Sequence, residues 1–230
     1  MYVEISTKGD KMEKYFDGLS KCILFENINK DDLLSVIKCL GGIVKSYSKD
    51  DIIISEGDNA DILGVILAGS VHITRIDYYG NRDIIAGFKK GEIFGETISI
   101  IDNNKMLVNV IADEDTKVLI IKMKKILSPC DKPCYFHKEI LLNLLHALAK
   151  KNIMFNKKIE IMSKKTTKEK LMCYLSFQAK ENNSSEFEIP FNRQELADYL
   201  GVERSGLSVE INKLKKDGII DSNKNYFKIN

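Results

Sequence analysis

The stretch from Pro190 to Ile220 constrains the fold most, because it contains two short helical patterns separated by a glycine. Asn192 is a favourable N-cap residue, and Glu195 follows at the three-residue spacing of a capping box. Gly201 stands where the end of a helix needs a positive φ angle, which glycine adopts without a steric penalty. The apolar face of this first helix consists of Leu196, Ala197 and Leu200. The pattern predicts a helix, a tight turn and a second helix.

The second predicted helix begins near Arg204 and has two different faces. Leu207, Ile211 and Leu214 recur at four- and three-residue steps, so they share one apolar face. The other face is polar or basic and carries Arg204, Ser205, Ser208, Asn212, Lys213 and Lys216. Such a helix can enter the major groove of DNA, where the residues of its first turns meet base edges. A helix pair without a role in nucleic-acid binding is the alternative, since such pairs are common.

Residues 219–229 predict a short hairpin, a wing, because two apolar runs flank a turn of small polar residues. Several stretches of this region carry a family likeness: Arg193–Ala197, Leu200–Val202, Arg204–Ser205, Leu207–Ser208 and Leu214–Ile220. Further upstream, the likeness extends to Gly57, Leu67–Val71 and Gly91–Glu96. These segments resemble the winged helix-turn-helix and the sensor domain of the Crp/Fnr family of bacterial transcription regulators.

The resemblance implies an α+β fold in three parts. Residues 1–134 would form an N-terminal antiparallel β-roll, or double-stranded β-helix, that acts as a cyclic-nucleotide-binding-like sensor domain. Residues 135–163 would form a dimerisation helix, and residues 164–230 a winged helix-turn-helix DNA-binding domain. The sequence between Ile43 and Lys122 independently supports the β-roll, because short β-branched runs alternate there with glycine and Asx turns.

Apolar residues between Phe136 and Met162 recur at alternating steps of four and three, which is typical of a coiled-coil seam. The predicted seam consists of Leu141, Leu145, Leu148, Asn152, Phe155, Ile159 and Met162. An asparagine at one seam position favours a parallel, two-stranded homodimer in a fixed register. The alternative is an amphipathic helix that packs on its own β-domain. The resemblance implies that this helix is the dimer axis and closes the effector pocket.

An effector site is predicted at Gly95 and Glu96, because glycine lets a ligand approach the backbone and a carboxylate can accept hydrogen bonds from a sugar. The alternative is that this motif is only a structural turn. On the long helix, Asn152, Phe155 and Asn156 are the seam residues expected nearest to a bound effector. The nucleotide-binding relatives carry an Arg-Ser or Arg-Thr pair where this chain has Met106 and Leu107. These two side chains cannot neutralise a phosphate, so cyclic AMP is not the expected effector, and no other small molecule is identified.

The net charge of +2 hides an asymmetry between the two parts of the chain. Residues 1–149 contain 19 basic and 22 acidic side chains, whereas residues 150–230 contain 16 basic and 11 acidic ones. Positive charge therefore collects in the part with the predicted helix pair, as a phosphate-binding surface requires. The charged N-terminus and the absence of a long apolar run predict a cytoplasmic protein without a membrane partner.

Residue roles at the DNA follow from side-chain chemistry. Arg204 is expected to read guanine through O6 and N7, while Ser205 and Ser208 can reach a base or a phosphate. Phosphate contacts are expected from Asn192, Arg193, Gln194 and Lys213. The family commonly has a second arginine where this chain has Val209, so the operator sequence cannot be named. The expected partners are a pseudo-palindromic DNA duplex, a second copy of the chain and RNA polymerase.

The sequence assigns no cofactor, and no metal site is expected because the usual zinc ligand set is missing. Some members of the family carry an iron–sulfur cluster on clustered N-terminal cysteines, but here only Cys22 lies in that region. The open alternatives are an effector-independent regulator, a haem-responsive one using His72 or His137, and a redox-responsive one using Cys130 and Cys134. A cupin-like enzyme would need more histidines than His72 in the strands, so no enzyme is expected. A partner-binding module without DNA affinity is a further alternative.

Overall fold

A computed structural model of the protein describes residues 15–76, 82–101, 105–128 and 135–230. The chain divides into two compact units, Met1–Ala149 and Lys150–Asn230. This division falls inside the predicted dimerisation helix, and the three-part division into residues 1–134, 135–163 and 164–230 stays a prediction. Within the described ranges, no helix combines the length and the hydropathy that a membrane span needs.

The first unit contains eight strands and several short helices within its described residues. Its helices are α1 (Phe16–Ser20), α2 (Lys30–Cys39), α3 (Glu96–Ser99) and α4 (Met123–Leu127). Its strands are β1 (Ile43–Tyr47), β2 (Ile52–Ile54), β3 (Ile62–Ala68), β4 (Ser70–Ile76), β5 (Arg82–Lys89), β6 (Ile93–Phe94), β7 (Asn109–Ala112) and β8 (Thr116–Lys122). Helix α5 (Tyr135–Met162) begins in this unit and ends in the second one.

The eight strands form two antiparallel sheets, with the strand orders β1-β8-β3-β6 and β2-β7-β4-β5. Strand β3 is buried along nearly its whole length because it lies between two apolar layers. Ile66 on one of its faces joins a cluster with Val71 and Val110 of the other sheet. Val65 on the opposite face packs with the helices α1, α2 and α5. This sandwich of two sheets confirms the predicted antiparallel β-roll.

Helix α5 presents one face of its first half to this helical layer. Ile140, Leu144 and Ala147 are buried there, together with Asn143. The Asn143 side chain donates through Nδ2 to the backbone oxygens of Leu24 and Glu26, at 3.1 and 2.8 Å. The buried amide is thereby hydrogen-bonded, which removes most of the cost of its burial. One face of the first half of α5 therefore packs on the β-domain of its own chain, as the alternative to a dimer seam predicted.

The second unit combines helices with a small sheet. Its elements after α5 are α6 (Thr167–Asn182), β9 (Glu186–Glu188), α7 (Arg193–Leu200), α8 (Arg204–Lys216), β10 (Ile220–Asn223) and β11 (Tyr226–Ile229). The three strands pair in the order β10-β11-β9. One apolar cluster fills the unit, and Leu207, Ile211 and Leu214 of α8 are buried in it. The predicted helix, turn, helix and wing are confirmed.

Four short elements differ from the expectation based on sequence. Strand β6, helices α3 and α4, and strand β9 were not predicted, since each is five residues or fewer and too short for a periodic pattern. Strand β9 begins at Glu186 and pairs with β11. Helix α6 begins at Thr167, because Thr166 and Glu169 form a capping box.

The close approach of β3 to β6 depends on Gly64. A Cβ atom at this position would lie 2.2 Å from Cζ of Phe94, and Phe94 is buried and paired directly opposite. We expect Gly64→Ala to lower the free energy of unfolding by about 1–3 kcal/mol, because the ring has no space to move. Urea unfolding followed by circular dichroism measures this change.

Gly87→Ala is the matched control, because the nearest atom to its Cβ would be the Val71 oxygen at 3.9 Å. This variant should change the free energy of unfolding by less than about 0.5 kcal/mol. Equal losses in both variants would contradict the steric explanation for Gly64.

Candidate nucleic-acid interface

Helix α7 begins with the predicted capping box. Oδ1 of Asn192 accepts hydrogen bonds from the backbone nitrogens of Gln194 and Glu195, at 2.9 and 3.0 Å. In return, Oε2 of Glu195 accepts from the backbone nitrogen of Asn192 at 2.8 Å. Backbone groups that a helix start leaves without partners are thus paired locally. The side-chain oxygen of Asn192 is therefore already used as an acceptor at the start of α7. Its side-chain NH₂ group remains as a donor for a phosphate.

The turn after α7 is fixed by Gly201, which has φ 59° and ψ 53°. This left-handed conformation is the one for which glycine was expected. A Cβ atom on Gly201 would also lie 2.9 Å from Cε of Met162 at the end of α5. Because α8 begins three residues later, the direction of α8 follows from this turn.

Two lysine side chains converge on the carbonyl end of α7. Nζ of Lys158, from α5, donates to the backbone oxygen of Tyr199 and lies 4.1 Å from the centroid of the Tyr199 ring. Nζ of Lys170, from α6, donates to the backbone oxygens of Leu200 and Gly201, at 3.2 and 3.4 Å. Burial, and secondarily the charge of Lys170, lower the pKa of Lys158. The two ammonium groups satisfy the last carbonyls of α7 and complement the negative end of its dipole.

Helix α8 exposes its N-terminal end. Arg204 and Ser205 are exposed, whereas Leu207 is completely buried. The hydroxyl of Ser208 donates to the backbone oxygen of Arg204 at 3.0 Å, so its hydrogen is used within the helix. Val209 is 68% exposed although it is apolar. The exposed surface of the first two turns therefore contains a guanidinium, a hydroxyl and an isopropyl group.

Arg193 is placed differently from an exposed phosphate-binding arginine. Its guanidinium lies 4.9 Å from the centroid of the Phe227 ring, and Nη2 donates to Oγ of Ser222 at 3.4 Å. Nη1 is buried without a hydrogen-bond partner among the described residues, and burial lowers the pKa of Arg193. The side chain thus packs α7 against the wing. Its role as a phosphate contact stays a prediction, and the contacts favour a positioning role.

An open groove lies between the start of α7, the start of α8 and the turn of the wing. It is lined by Ile189, Pro190, Phe191, Asn192, Arg193, Gln194, Glu195, Arg204, Lys224 and Asn225. The structure thereby brings four predicted residues together, Asn192, Arg193, Gln194 and Arg204. Ser205, Ser208 and Lys213 lie along α8 outside this groove. Lys224 and Asn225 were not predicted as site residues. The sequence does place a lysine in the turn of the predicted wing, close to a basic helix, and this pattern indicates a phosphate contact.

The predicted effector residues of the first unit lie at the start of α3, and their role stays a prediction. Gly95 has φ 83° and precedes α3, whose first residue, Glu96, is buried. A Cβ atom on Gly95 would lie 2.8 Å from the backbone oxygen of Ile62, so the fold alone demands glycine here. Met106 is 3% exposed in the apolar cluster between the sheets, whereas Leu107 is 66% exposed. Nζ of neighbouring Lys105 donates to Oδ1 of Asn59.

The other predicted effector residues belong to the second unit. Asn152, Phe155 and Asn156 are all exposed on α5, and Nδ2 of Asn156 donates to Oδ1 of Asn152 at 2.9 Å. Their approach to an effector stays a prediction. No group of three or more metal-ligating side chains occurs among the described residues, and the predicted redox pair, Cys130 and Cys134, lies outside them.

The histidines proposed for haem binding have other contacts. Nδ1 of His72 lies 2.5 Å from Oδ1 of Asp113. Nε2 of His137, which is buried, donates to the backbone oxygen of Lys125 at 3.0 Å. Both contacts are those of structural histidines that tie one segment of the first unit to another.

The predicted dimer seam is exposed along most of its length. Leu145, Phe155 and Ile159 are each about three-fifths exposed or more, at 59%, 65% and 66%. Leu141 and Leu148 differ because they are partly buried against the core of the first unit. Asn152 and Met162 are exposed as well. Apolar side chains of this size on one helix face form a surface that a second helix could cover.

Comparisons with known proteins agree with this architecture. The profile of the cyclic nucleotide-binding domain matches residues 44–132, and that of the Crp-like helix-turn-helix domain matches residues 169–230. The transcriptional activator protein FnrL of Cereibacter sphaeroides is 23% identical over 186 residues, which are 76% of this chain and 71% of FnrL. The cGMP-dependent protein kinase 2 of Homo sapiens is 33% identical over 111 residues. That match covers 47% of this chain but spans no more than 14% of the kinase.

Solved structures share the fold. The c-di-GMP-responsive global regulator CLP of Xanthomonas campestris matches with a TM-score of 0.53 and 20% identity, covering 86% of this chain and 99% of CLP. A candidate cyclic nucleotide binding protein of Ruegeria pomeroyi matches with a TM-score of 0.52 and 18% identity, covering 95% and 93% of the two chains.

The order of a β-roll, a long helix and a winged helix-turn-helix defines a regulator with a sensor domain and a DNA-binding domain. The two family profiles match in that order and together take in well over half of the 230 residues. The chain belongs to the Crp/Fnr family of transcription regulators.

Substitutions of Asn192 test its role as the N-cap residue of α7. We expect Asn192→Ala to destabilise the start of α7 by about 1 kcal/mol, because two backbone N–H groups lose their acceptor. Asn192→Asp, the control, retains an acceptor and should change the stability of the helix start by at most a few tenths of a kcal/mol. Hydrogen exchange at the amides of Gln194 and Glu195 reports the local change, and unchanged exchange in Asn192→Ala would exclude the capping role.

Proposed function

We propose that the protein is a homodimeric, sequence-specific regulator of transcription that binds a pseudo-palindromic DNA duplex. The observation that carries this proposal is the exposed start of α8 beside the groove that Asn192, Gln194, Arg204 and Lys224 line. The unit that contains this groove also has the excess of basic residues. Phosphates would lie along the groove, while the first turns of α8 would enter the major groove.

Arg204 is the proposed reader of guanine. It is exposed at the first position of α8, where a recognition helix meets base edges. Its planar guanidinium can donate two parallel hydrogen bonds to O6 and N7. Asn192, Gln194 and Lys213 would contact phosphates and set the register of the protein on the duplex, as would Ser205 where it does not reach a base.

The proposed dimer would hold two such helices at a fixed distance. Exposed Leu145, Phe155 and Ile159 would be covered by the same face of a second α5. Asn152 would then meet its counterpart and fix the register of a parallel pair. Two recognition helices in successive major grooves require a separation of about 34 Å, which a dimer axis of this kind could supply.

Control by an effector other than cyclic AMP is the proposed regulation. In the β-roll, Gly95 precedes the buried Glu96 at the start of α3, whereas Met106 supplies no positive charge. The kinase relative is by name cGMP-dependent, but the same lack of a cation argues against an anionic cyclic nucleotide in this chain. An effector would shift the population of α5 arrangements and so the spacing of the DNA-binding units.

A regulator that needs no effector is the second candidate. The burial of Met106 in the apolar cluster between the sheets favours it, because this side chain offers a ligand neither a hydrogen-bond donor nor a charge. Both candidates would act in the cytoplasm and would contact RNA polymerase at promoters.

Arg204→Ala should weaken binding to a specific duplex by about 1–3 kcal/mol and should relax the preference at one base position. Binding is measured by salt-dependent gel shift on duplexes that carry each base at that position. Lys213→Ala is the control, because the loss of a phosphate contact should weaken all of these duplexes equally and reduce the salt dependence. An equal loss on every duplex with Arg204→Ala would make Arg204 a phosphate contact.

The variant Phe155→Glu/Ile159→Glu should be a monomer at micromolar concentration, because four like charges would face each other in the proposed seam. Native mass spectrometry measures the change in mass and also detects a retained effector in the unsubstituted protein.

Met154→Glu is the matched control for the seam. Met154 is 67% exposed on the same helix but does not belong to the predicted seam. This variant should remain a dimer. A monomeric unsubstituted protein, or a dimer in all three cases, would rule out α5 as the dimer axis.

A further inference from the structure

A stripe of uncharged side chains lies on α8 opposite its buried face. Ser205, Val209 and Asn212 are separated by four and three residues, so they lie on one line of the helix surface. The opposite side of the helix carries Leu207, Ile211 and Leu214, all of them buried. The stripe is therefore the part of α8 that projects furthest from the core of its unit.

Val209 is the apolar member of this stripe and is 68% exposed. Leaving a branched aliphatic side chain in water forgoes the stabilisation that its burial would give. Positive charge borders the stripe, from Arg204 at the start of the helix and from Lys213 and Lys216 further along. A surface of this kind complements a duplex, because the lysines and the arginine can meet phosphates while the stripe faces the base edges.

Val209 has neither a donor nor an acceptor in its side chain, so it can select a base through apolar contact alone. In the major groove of DNA, the 5-methyl group of thymine is the apolar feature, while the other bases present donors and acceptors. Neighbouring Ser208 does not change this, because its hydroxyl donates to the backbone oxygen of Arg204. We infer that Val209 is a specificity-determining residue that selects thymine through its methyl group. This inference rests on the proposed DNA-binding function.

The position of this thymine follows from helix geometry. Val209 lies five residues after Arg204, which corresponds to about 7.5 Å along the axis of α8. Base pairs are stacked about 3.4 Å apart. A recognition helix is inclined to the duplex axis, so the thymine should lie within about two base pairs of the guanine that Arg204 reads.

The test first selects duplexes that the full-length protein retains from a random library at fixed salt. Each thymine of one selected half-site is then replaced by deoxyuridine, which removes the methyl group and leaves the hydrogen-bonding groups unchanged. One thymine per half-site should lose about fourfold in affinity on this replacement, as expected for the burial of one methyl group. The variant Val209→Ala should show a smaller difference between the thymine and the uracil duplexes, because its shorter side chain loses most of the contact with the methyl group.

Lys213→Ala is the control variant. It should bind every duplex more weakly but should keep the difference between thymine and uracil. Circular dichroism verifies the fold of Val209→Ala, for which no loss is expected because the side chain is exposed and alanine favours helices.

The outcomes distinguish this inference from the proposed function. If no duplex is selected at any salt concentration, the proposed DNA-binding function fails. If duplexes are selected but no thymine responds to loss of its methyl group, the role of Val209 is excluded. The role is also excluded if the response persists unchanged in Val209→Ala.

Discussion

Two ammonium groups meet the carbonyl end of α7, one from the last turns of α5 and one from the first turn of α6. Lys158 donates to Tyr199, and Lys170 donates to Leu200 and Gly201. These carbonyl groups lie at the end of α7 and in the turn that leads into α8. The orientation of α8 in its unit therefore depends on an electrostatic contact between backbone and lysine as well as on the apolar core beneath it.

The role of α5 explains why this contact matters for the proposed mechanism. The helix supplies Ile140, Leu144 and Ala147 to the core of the first unit and Ile161 to the core of the second. In the proposed dimer, its exposed apolar face is covered by a second copy. A change in how the two α5 helices of this dimer pack would shift Lys158. This lysine contacts the backbone oxygen of Tyr199, and the turn at Gly201 alone separates the end of α7 from the start of α8. Coupling of this kind needs no contact between effector and DNA.

The sequence predicted local features of the DNA-binding unit well because their physics is local. The capping box of Asn192 and the left-handed Gly201 each depend on residues within one helical turn. Strand β9 was missed because its single buried side chain, Phe187, is meaningful only opposite Phe227, which lies 40 positions further along the chain. The packing of Arg193 on that same Phe227 ring could not be predicted either, because side-chain type alone suggested a phosphate contact.

The Gly–Glu pair of the β-roll has a steric explanation at its glycine. Gly95 is required by the nearby Ile62 oxygen, whereas Glu96 is buried at the start of α3, where packing alone does not favour a carboxylate. Met106, which the family resemblance places at the position of the relatives' arginine, makes apolar contacts between the sheets. A phosphate in this pocket would lose its hydration without gaining a fixed positive charge, which is strongly unfavourable in a low-dielectric interior. The proposal that cyclic AMP is not the effector therefore depends on Met106 rather than on the Gly–Glu pair.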